Sequence, residues 1–265
     1  MQPLKDLSFE PAALDDSPLV PAPQADHGTG RRPGWLARKL IRQLMRPVQI
    51  SLVEQLPGAF VMVELGGSSL AGLTWQPGQR LGLILNQELL SRTYTPMTWN
   101  ARTGSVRLLL FRHGQGLASD WAGRVKAGDT CAIAGPVHSI DIPDASVPTA
   151  FFGDETSIAT AVSIAQAGGR PARMRCLFEA GDARAAREVL RELGLGQAIV
   201  IERRPGDRHL EELRDEIEGR PGTQHALILT GKAASIRRLR RGLHRNRTGR
   251  IINRVYWAPG KSGLT

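Results

Sequence analysis

Two cysteines among 265 residues, Cys131 and Cys176, are too few for a disulfide framework or a cysteine-rich metal site, and both sit in apolar runs. They point to a reducing compartment. The six histidines, at 27, 113, 138, 209, 225 and 244, have no metal-ligand spacing and form no His-Glu-x-x-His, so no metal site is expected. Aromatic residues make up 5% of the chain, and neither an interleaved aromatic platform nor a reading motif is present, so nucleic acid is not the expected partner. No Gly-x-Ser-x-Gly elbow supports hydrolase chemistry. Gly231-Lys232 looks like the end of a P-loop, but Ala226 stands where its leading glycine belongs. No stretch approaches the roughly 18 apolar residues of a membrane span, so integral membrane association is not expected. Residues 1 to 16 carry acidic residues and no apolar signal core. Arg31-Arg32 is followed by a charged segment unlike an export signal, and a cytoplasmic location is expected.

What the chain has in excess is positive charge. Its formal net charge is +10 and its pI about 10.7, which predicts an anionic partner. Residues 219 to 265 hold eleven Lys or Arg and no acidic residue, with Arg237, Arg238, Arg240 and Arg241 on one expected helix. A small anion accounts for this surface better than nucleic acid does, given the missing reading motif.

The organisation changes along the chain. Residues 1 to 30, proline-rich and acidic, are expected to form a disordered tail. Residues 31 to 46 carry six basic and no acidic residues, with Leu36, Leu40 and Leu44 on one stripe. They predict a basic amphipathic helix closed by Pro47, packed on the protein body or making peripheral membrane contact. From 47 to 141 short strands are separated by turn residues. They are expected at Val48 to Glu54, Ala59 to Leu65, Gln79 to Leu85, Thr93 to Trp99, Ser105 to Phe111 and Thr130 to Ala134, with a helix near Gly116 to Val125. This pattern predicts an antiparallel β-barrel. After a linker at 142 to 148, strands alternate with helices through 149 to 265. Strands are expected at Thr149 to Phe152, Arg173 to Phe178, Ala198 to Ile201, Ala226 to Leu229 and Ile251 to Trp257. Helices are expected near Ser157 to Ala167, Ala183 to Leu193, Leu210 to Ile217 and Ala233 to His244. The fold class is thus an antiparallel barrel followed by a doubly wound parallel α/β sheet.

The most specific stretch is Arg92-Thr93-Tyr94-Thr95-Pro96, followed by His113-Gly114-Gln115-Gly116-Leu117-Ala118-Ser119-Asp120-Trp121-Ala122. An arginine can fork two hydrogen bonds onto a phosphate, and a tyrosine two residues on shares its strand face and can stack on a flat ring. A threonine offers a hydroxyl to a ring nitrogen. Gly114 and Gly116 permit close backbone approach, and the helix opening there turns free amides toward a pyrophosphate. Arg203 and Arg204, after the third strand of the second domain, are placed to meet a 2′-phosphate.

These two stretches combine with Ala127-Gly128-Asp129, Ala134-Gly135-Pro136, Gly153-Asp154-Glu155-Thr156 and Tyr256-Trp257 with Gly260-Lys261. In this order, over about residues 46 to 262, the chain resembles the siderophore-interacting proteins. That family consists of flavin-containing ferric-siderophore reductases related to ferredoxin–NADP reductases. The resemblance implies that Arg92, Tyr94, Thr95, His113, Gly114, Gly116, Ala118, Ser119 and Trp121 hold FAD. It implies that Gly153, Asp154, Glu155 and Thr156 lie where NADPH or NADH docks, with Gly231 and the two arginines also on the reductant side. Lys261 matches a basic residue facing flavin and substrate, and is the residue expected to act on an anionic ferric siderophore. A monomer is implied. Two features depart from the family: Met97 replaces a second arginine, and Thr230-Gly231-Lys232 replaces Ala-Gly-Glu. The expected activity is transfer of electrons from NAD(P)H through FAD to siderophore-bound Fe(III). Electron transfer to a protein such as ferredoxin, and a cofactor-free basic protein binding nucleic acid or membrane, stand as alternatives.

Overall fold

The computed structural model describes residues 45–85, 90–114, 116–167, 174–219, 226–243 and 249–260. The expected tail at 1 to 30, the helix at 31 to 44 and Lys261 lie outside these residues.

The first half is a seven-stranded sheet, β1 Met45–Gln55, β2 Phe60–Gly66, β3 Gln79–Ile84, β4 Ser91–Tyr94, β5 Thr98–Asn100, β6 Ser105–Phe111 and β7 Thr130–His138. All pairings are antiparallel, in the order β4-β3-β7-β1-β2-β6-β5. The two outermost strands, β4 and β5, are neighbours in sequence and separated by three residues, Thr95, Pro96 and Met97. Such a link spans no more than about 14 Å from Tyr94 to Thr98, so the two edges of the sheet must come together. The sheet is therefore curled into a barrel. Helix α1, Leu117–Ala122, follows β6.

Two expectations need correction. Thr93 to Trp99 is not one strand, because Pro96 cannot donate to a ladder and the chain crosses between sheet edges there. Met45, Arg46 and Pro47 do not end a helix. They open β1, where Met45 to Val48 pair with β7 before β2 begins its register at Gln49. A strand end with one bonded neighbour accommodates proline.

The second half is a five-stranded parallel sheet of β8 Thr149–Gly153, β9 Met174–Ala180, β10 Ile199–Glu202, β11 Ala226–Lys232 and β12 Ile251–Trp257, ordered β10-β9-β8-β11-β12. Its helices are α2 Ile158–Ala167, α3 Ala183–Glu192, α4 His209–Glu218 and α5 Ala233–Gly242. Strand order reverses between β8 and β11, the position at which doubly wound sheets open a crevice at their carboxyl ends. The central strands β8 and β11 are apolar over most of their length, as strands covered on both faces are. Phe151, Phe152, Leu177, Phe178, Ile228 and Leu229 are buried.

The two halves share a core. Leu56, Phe60, Met97 and Leu109 of the barrel cluster with Phe151, Ile158, Val162, Phe178 and Ile228 of the parallel sheet and its helices. Met97, 2% exposed, belongs to this seam, which gives its apolar side chain a packing role. The ring of Phe60 also lies 5.0 Å from that of Phe111. Truncating Phe60 to alanine removes a ring from the shared core and is expected to cost about 3–5 kcal/mol. Because the core is continuous, urea unfolding of Phe60→Ala followed by far-UV circular dichroism and by tryptophan fluorescence should give coincident transitions at a lower midpoint. Two separated transitions would show that the halves are energetically independent.

Candidate functional site

A cleft of about 630 Å³ lies between the barrel and the carboxyl end of the parallel sheet. Its walls come from β3 and β4 (Arg80, Arg92, Thr93, Tyr94), the crossing residue Thr95, the last turn of β6 and the segment after it (Leu109, Phe111, His113), and Ala118 of α1. The second half adds Glu155, Thr156, Ala159, Arg203 and the run from Arg254 to Gly260.

Eight residues singled out from the sequence therefore meet on one surface: Arg92, Tyr94, Thr95, His113, Ala118, Glu155, Thr156 and Arg203. Arg92 and Tyr94 alternate with Thr93 along β4, and β4 is bonded on one side only, to β3. The Arg92 guanidinium donates to the carbonyl of its neighbour Ser91, at 3.0 Å, and has no ion pair among the described residues. Burial pushes the Tyr94 phenol up to about 12, against the opposing pull of Arg92, so it is a neutral ring at ordinary pH.

Other expected residues sit elsewhere. Ser119 of α1, 4% exposed, has its hydroxyl oxygen buried without a hydrogen-bond partner among the described residues. Trp121 is packed in the barrel core with Leu83, Leu108 and Ile133, so its indole fills the interior and does not line the cleft. Gly114 and Gly116 have φ of 99° and 101°, and a side chain at Gly114 would meet open space. The loop thus bares its backbone where a dinucleotide needs close approach. Arg204 lies off the cleft and is ion-paired with Glu212.

The buried acidic residues of the second half, Asp154, Glu155 and Glu179, are hydrogen-bonded inside the protein. Glu155 receives two hydrogen bonds from Arg203, at 2.8 and 2.5 Å, and one from the Gly181 N–H at 2.7 Å. The Arg203 Nε lies 3.7 Å from the fully buried Glu179, which also accepts from Ser235 and is bonded to His209. Burial disfavours the Arg203 charge, but Glu155, Glu179 and Asp154 outweigh it and raise its pKa. Arg203 is thereby committed to protein carboxylates, which changes the expectation that it is free for a 2′-phosphate.

Two cleft cations that the sequence did not single out have no ion pair among the described residues. Arg80 and Arg254 both line the cleft. The Arg80 Nε is buried without a hydrogen-bond partner among the described residues, and the Arg80 pKa is lowered, first by burial and then by the like charge of Arg254. Neither forms an ion pair among the described residues. Among those residues the only acidic one on the cleft wall is Glu155, whose charge Arg203 already meets. Arg80 was invisible to motif reading because it is one cation in an ordinary strand, and Arg254 because it precedes the Tyr-Trp motif in a basic region.

This donor set suits a ligand with phosphates and a flat ring. Arg92 and the bared backbone of the glycines can meet anionic atoms, and Tyr94 and Thr95 offer a ring face and a hydroxyl. FAD fits these residues on structural grounds.

A family model for the siderophore-interacting FAD-binding domain matches residues 85–140. No curated protein matches the chain. Among solved structures, the siderophore-interacting protein from Acinetobacter baumannii superposes with a TM-score of 0.67 at 18% identity, covering 83% of this chain and 92% of that one. A siderophore utilization protein from T. fusca gives 0.63 at 22% identity, over 83% and 95%. The FAD/NAD-binding domain of nitric oxide dioxygenase from Vibrio cholerae O1 biovar El Tor gives 0.61 at 18% identity, over 81% and 99%. The resemblance to siderophore-interacting proteins is thus upheld over residues 85–140, and the two-domain fold is shared with these structures over most of the chain. No helix among the described residues is long and apolar enough to cross a membrane.

Behind the cleft wall, on the β8 side of the switch point, lies a fully buried carboxyl. Asp154 accepts from the Thr156 N–H at 2.9 Å, the Thr156 hydroxyl at 2.5 Å and the Trp257 indole N–H at 2.7 Å. Gly231, with φ of 99°, packs so tightly on it that a Cβ there would fall 2.5 Å from the carboxyl group. Gly231 thus serves the approach of β11 to Asp154 and does not line the cleft. Burial pushes Asp154 up to about 6, and the hydrogen bonds from Thr156 and Trp257 only partly offset this. The ordinary value is 3.8, so between the two the folded protein keeps a proton that the unfolded chain has released. Stability from this group falls as pH rises through that window. Asp154→Asn removes the titration. Its urea midpoint relative to the parent protein should improve from about pH 4 to about pH 6 and then level off, and a difference independent of pH would refute the assignment.

Proposed function

We propose that the protein is an FAD-dependent reductase that passes electrons from NADPH or NADH to siderophore-bound Fe(III). The observation that carries this reading is the cleft itself, where Arg80 and Arg254 lack carboxylate partners beside the residues suited to FAD. Arg92 would hold the FAD phosphates, with Gly114, Gly116, His113, Ala118 and Ser119 around the rest of the dinucleotide and Tyr94 and Thr95 at the ring. Bound FAD supplies the ability to accept two electrons together and release them one at a time. Gly153 to Thr156 lie at the carboxyl end of β8, the crevice position suited to the reductant. Trp257, tied to Asp154, forms a rigid part of the same wall.

Arg80 and Arg254 would draw an anionic ferric chelate toward the cleft, with Lys261, which follows the wall residue Gly260, adding to the field. One NAD(P)H gives two electrons, becomes NAD(P)⁺ and releases one proton, and two ferric chelates become ferrous. Iron leaves because Fe(II), the softer ion, is held less tightly by oxygen-rich chelators. In this reading the chain acts as a monomer in the cytoplasm, with the barrel at 47 to 141 holding FAD and residues 149 to 265 receiving the nucleotide.

The test is an anaerobic visible spectrum of the purified protein. Flavin bands that bleach with NAD(P)H and return on adding a ferric siderophore support the reading. A protein that takes up no FAD removes it, and a strong preference for ferredoxin over ferric chelates replaces the acceptor. Arg80→Ala and Arg254→Ala are each expected to lower kcat/KM for an anionic ferric chelate by roughly tenfold at low salt. The loss should shrink as ionic strength rises and should be smaller for a neutral ferric chelate. Equal losses for both chelates would argue against electrostatic guidance.

A further inference from the structure

Thr160, in α2, is fully buried and stands behind the cleft wall. Its hydroxyl donates to the Thr95 hydroxyl at 3.1 Å and lies 2.7 Å from the Tyr256 hydroxyl. A threonine hydroxyl has one proton. Since Thr160 gives its proton to Thr95, the short contact with Tyr256 is satisfied by the Tyr256 proton, and the chain runs Tyr256 to Thr160 to Thr95. The Thr95 oxygen accepts from Thr160, and the Thr95 hydroxyl also meets Tyr256, whose pKa it helps to lower; both partners thus hold Thr95 where it lines the cleft and can offer its proton to an acceptor there. Tyr256 holds its end of the chain at ordinary pH, because burial raises its pKa further above the neutral range. The three hydroxyls come from the barrel crossing, α2 and β12. Rotating any one of them would break a hydrogen bond between buried or half-buried groups.

We propose that Thr160 is a positioning residue that, with Tyr256, fixes the Thr95 hydroxyl as a hydrogen-bond donor into the cleft, toward an acceptor atom of the flavin ring. The inference rests on the flavin reading above. An oxidised flavin ring presents an acceptor nitrogen where the reduced ring carries a proton, so a donor locked in one orientation favours the oxidised form. Valine at 160 preserves the shape of threonine and removes the hydroxyl. Thr95 then loses the donor that holds it, and Tyr256 keeps only its contact with Thr95.

The experiment uses the full chain loaded with FAD, with anaerobic reductive titration read from the visible spectrum, on the parent protein and on Thr160→Val, Thr160→Ser and Tyr256→Phe. Thr160→Val and Tyr256→Phe are expected to retain FAD and to show a midpoint potential shifted upward. The shift should correspond to a roughly two- to tenfold change in the ratio of oxidised to reduced FAD affinity, the size of one hydrogen bond. Thr160→Ser, which keeps the hydroxyl, should restore the parent potential. An unchanged potential in Thr160→Val overturns the inference while leaving the flavin reading intact, and so does a serine variant that behaves like valine. If Thr160→Val fails to fold, Tyr256→Phe decides: an upward shift supports the chain and an unchanged potential overturns it. A parent protein that binds no FAD overturns the flavin reading and this inference together.

Discussion

Three residues, Thr95, Pro96 and Met97, join the two outermost strands of the seven-stranded sheet, and their short reach forces the sheet to close. Much of the site depends on that constraint. Arg92 and Tyr94 end up on β4, bonded on one side only. Thr95 opens onto the cleft, and Met97, two residues later, enters the core shared with the parallel sheet. The crossing thus places a polar cleft wall and an apolar seam within three residues, and the seam holds the parallel sheet against the barrel.

The parallel half meets this wall with its charges sorted by direction. Glu155 and Glu179 point into the protein, where Arg203, His209, Ser235 and the Gly181 N–H satisfy them. Removing one member of such a network strands the rest without water, so it holds the carboxyl ends of β8, β9 and β10 in register. Arg80 and Arg254, by contrast, face the cleft together without a carboxylate. Among the described residues, these two cations put positive charge on the cleft wall that no carboxylate meets. An anionic ligand is the natural complement of that arrangement, and the mutual repulsion of the two guanidiniums is relieved when one binds.

Asp154 and Thr160 show how the cleft wall is held from behind. Neither lines the cleft, yet each is bonded to a residue that does, Trp257 in one case and Thr95 with Tyr256 in the other. Both links run to β12 from the segment that begins at the end of β8. The last strand of the sheet is thereby tied to the loop and helix after the first, across the β11 strand between them.

The local patterns of the chain determined its elements. Ser105–Phe111 and Ile251–Trp257 lie where alternation and flanking turn residues put them, the five alternations of strand and helix build a doubly wound sheet, and Arg92 to Thr95 sit at a site edge. These features depend on neighbours in sequence, which is why a sequence can carry them. The tertiary structure decided what depends on neighbours in space. It split Thr93 to Trp99 at Pro96, made Pro47 part of a strand, sent Trp121 into the barrel core and packed Gly231 against Asp154. It also decided which cations are free. Arg203 and Arg80 look alike in sequence, but one meets two buried carboxylates and the other faces the cleft beside Arg254 and Tyr256, with no ion pair among the described residues. Pairing of charges and direction of hydroxyl protons are set by distances across the fold, so they exist only once the barrel and the sheet have closed on each other.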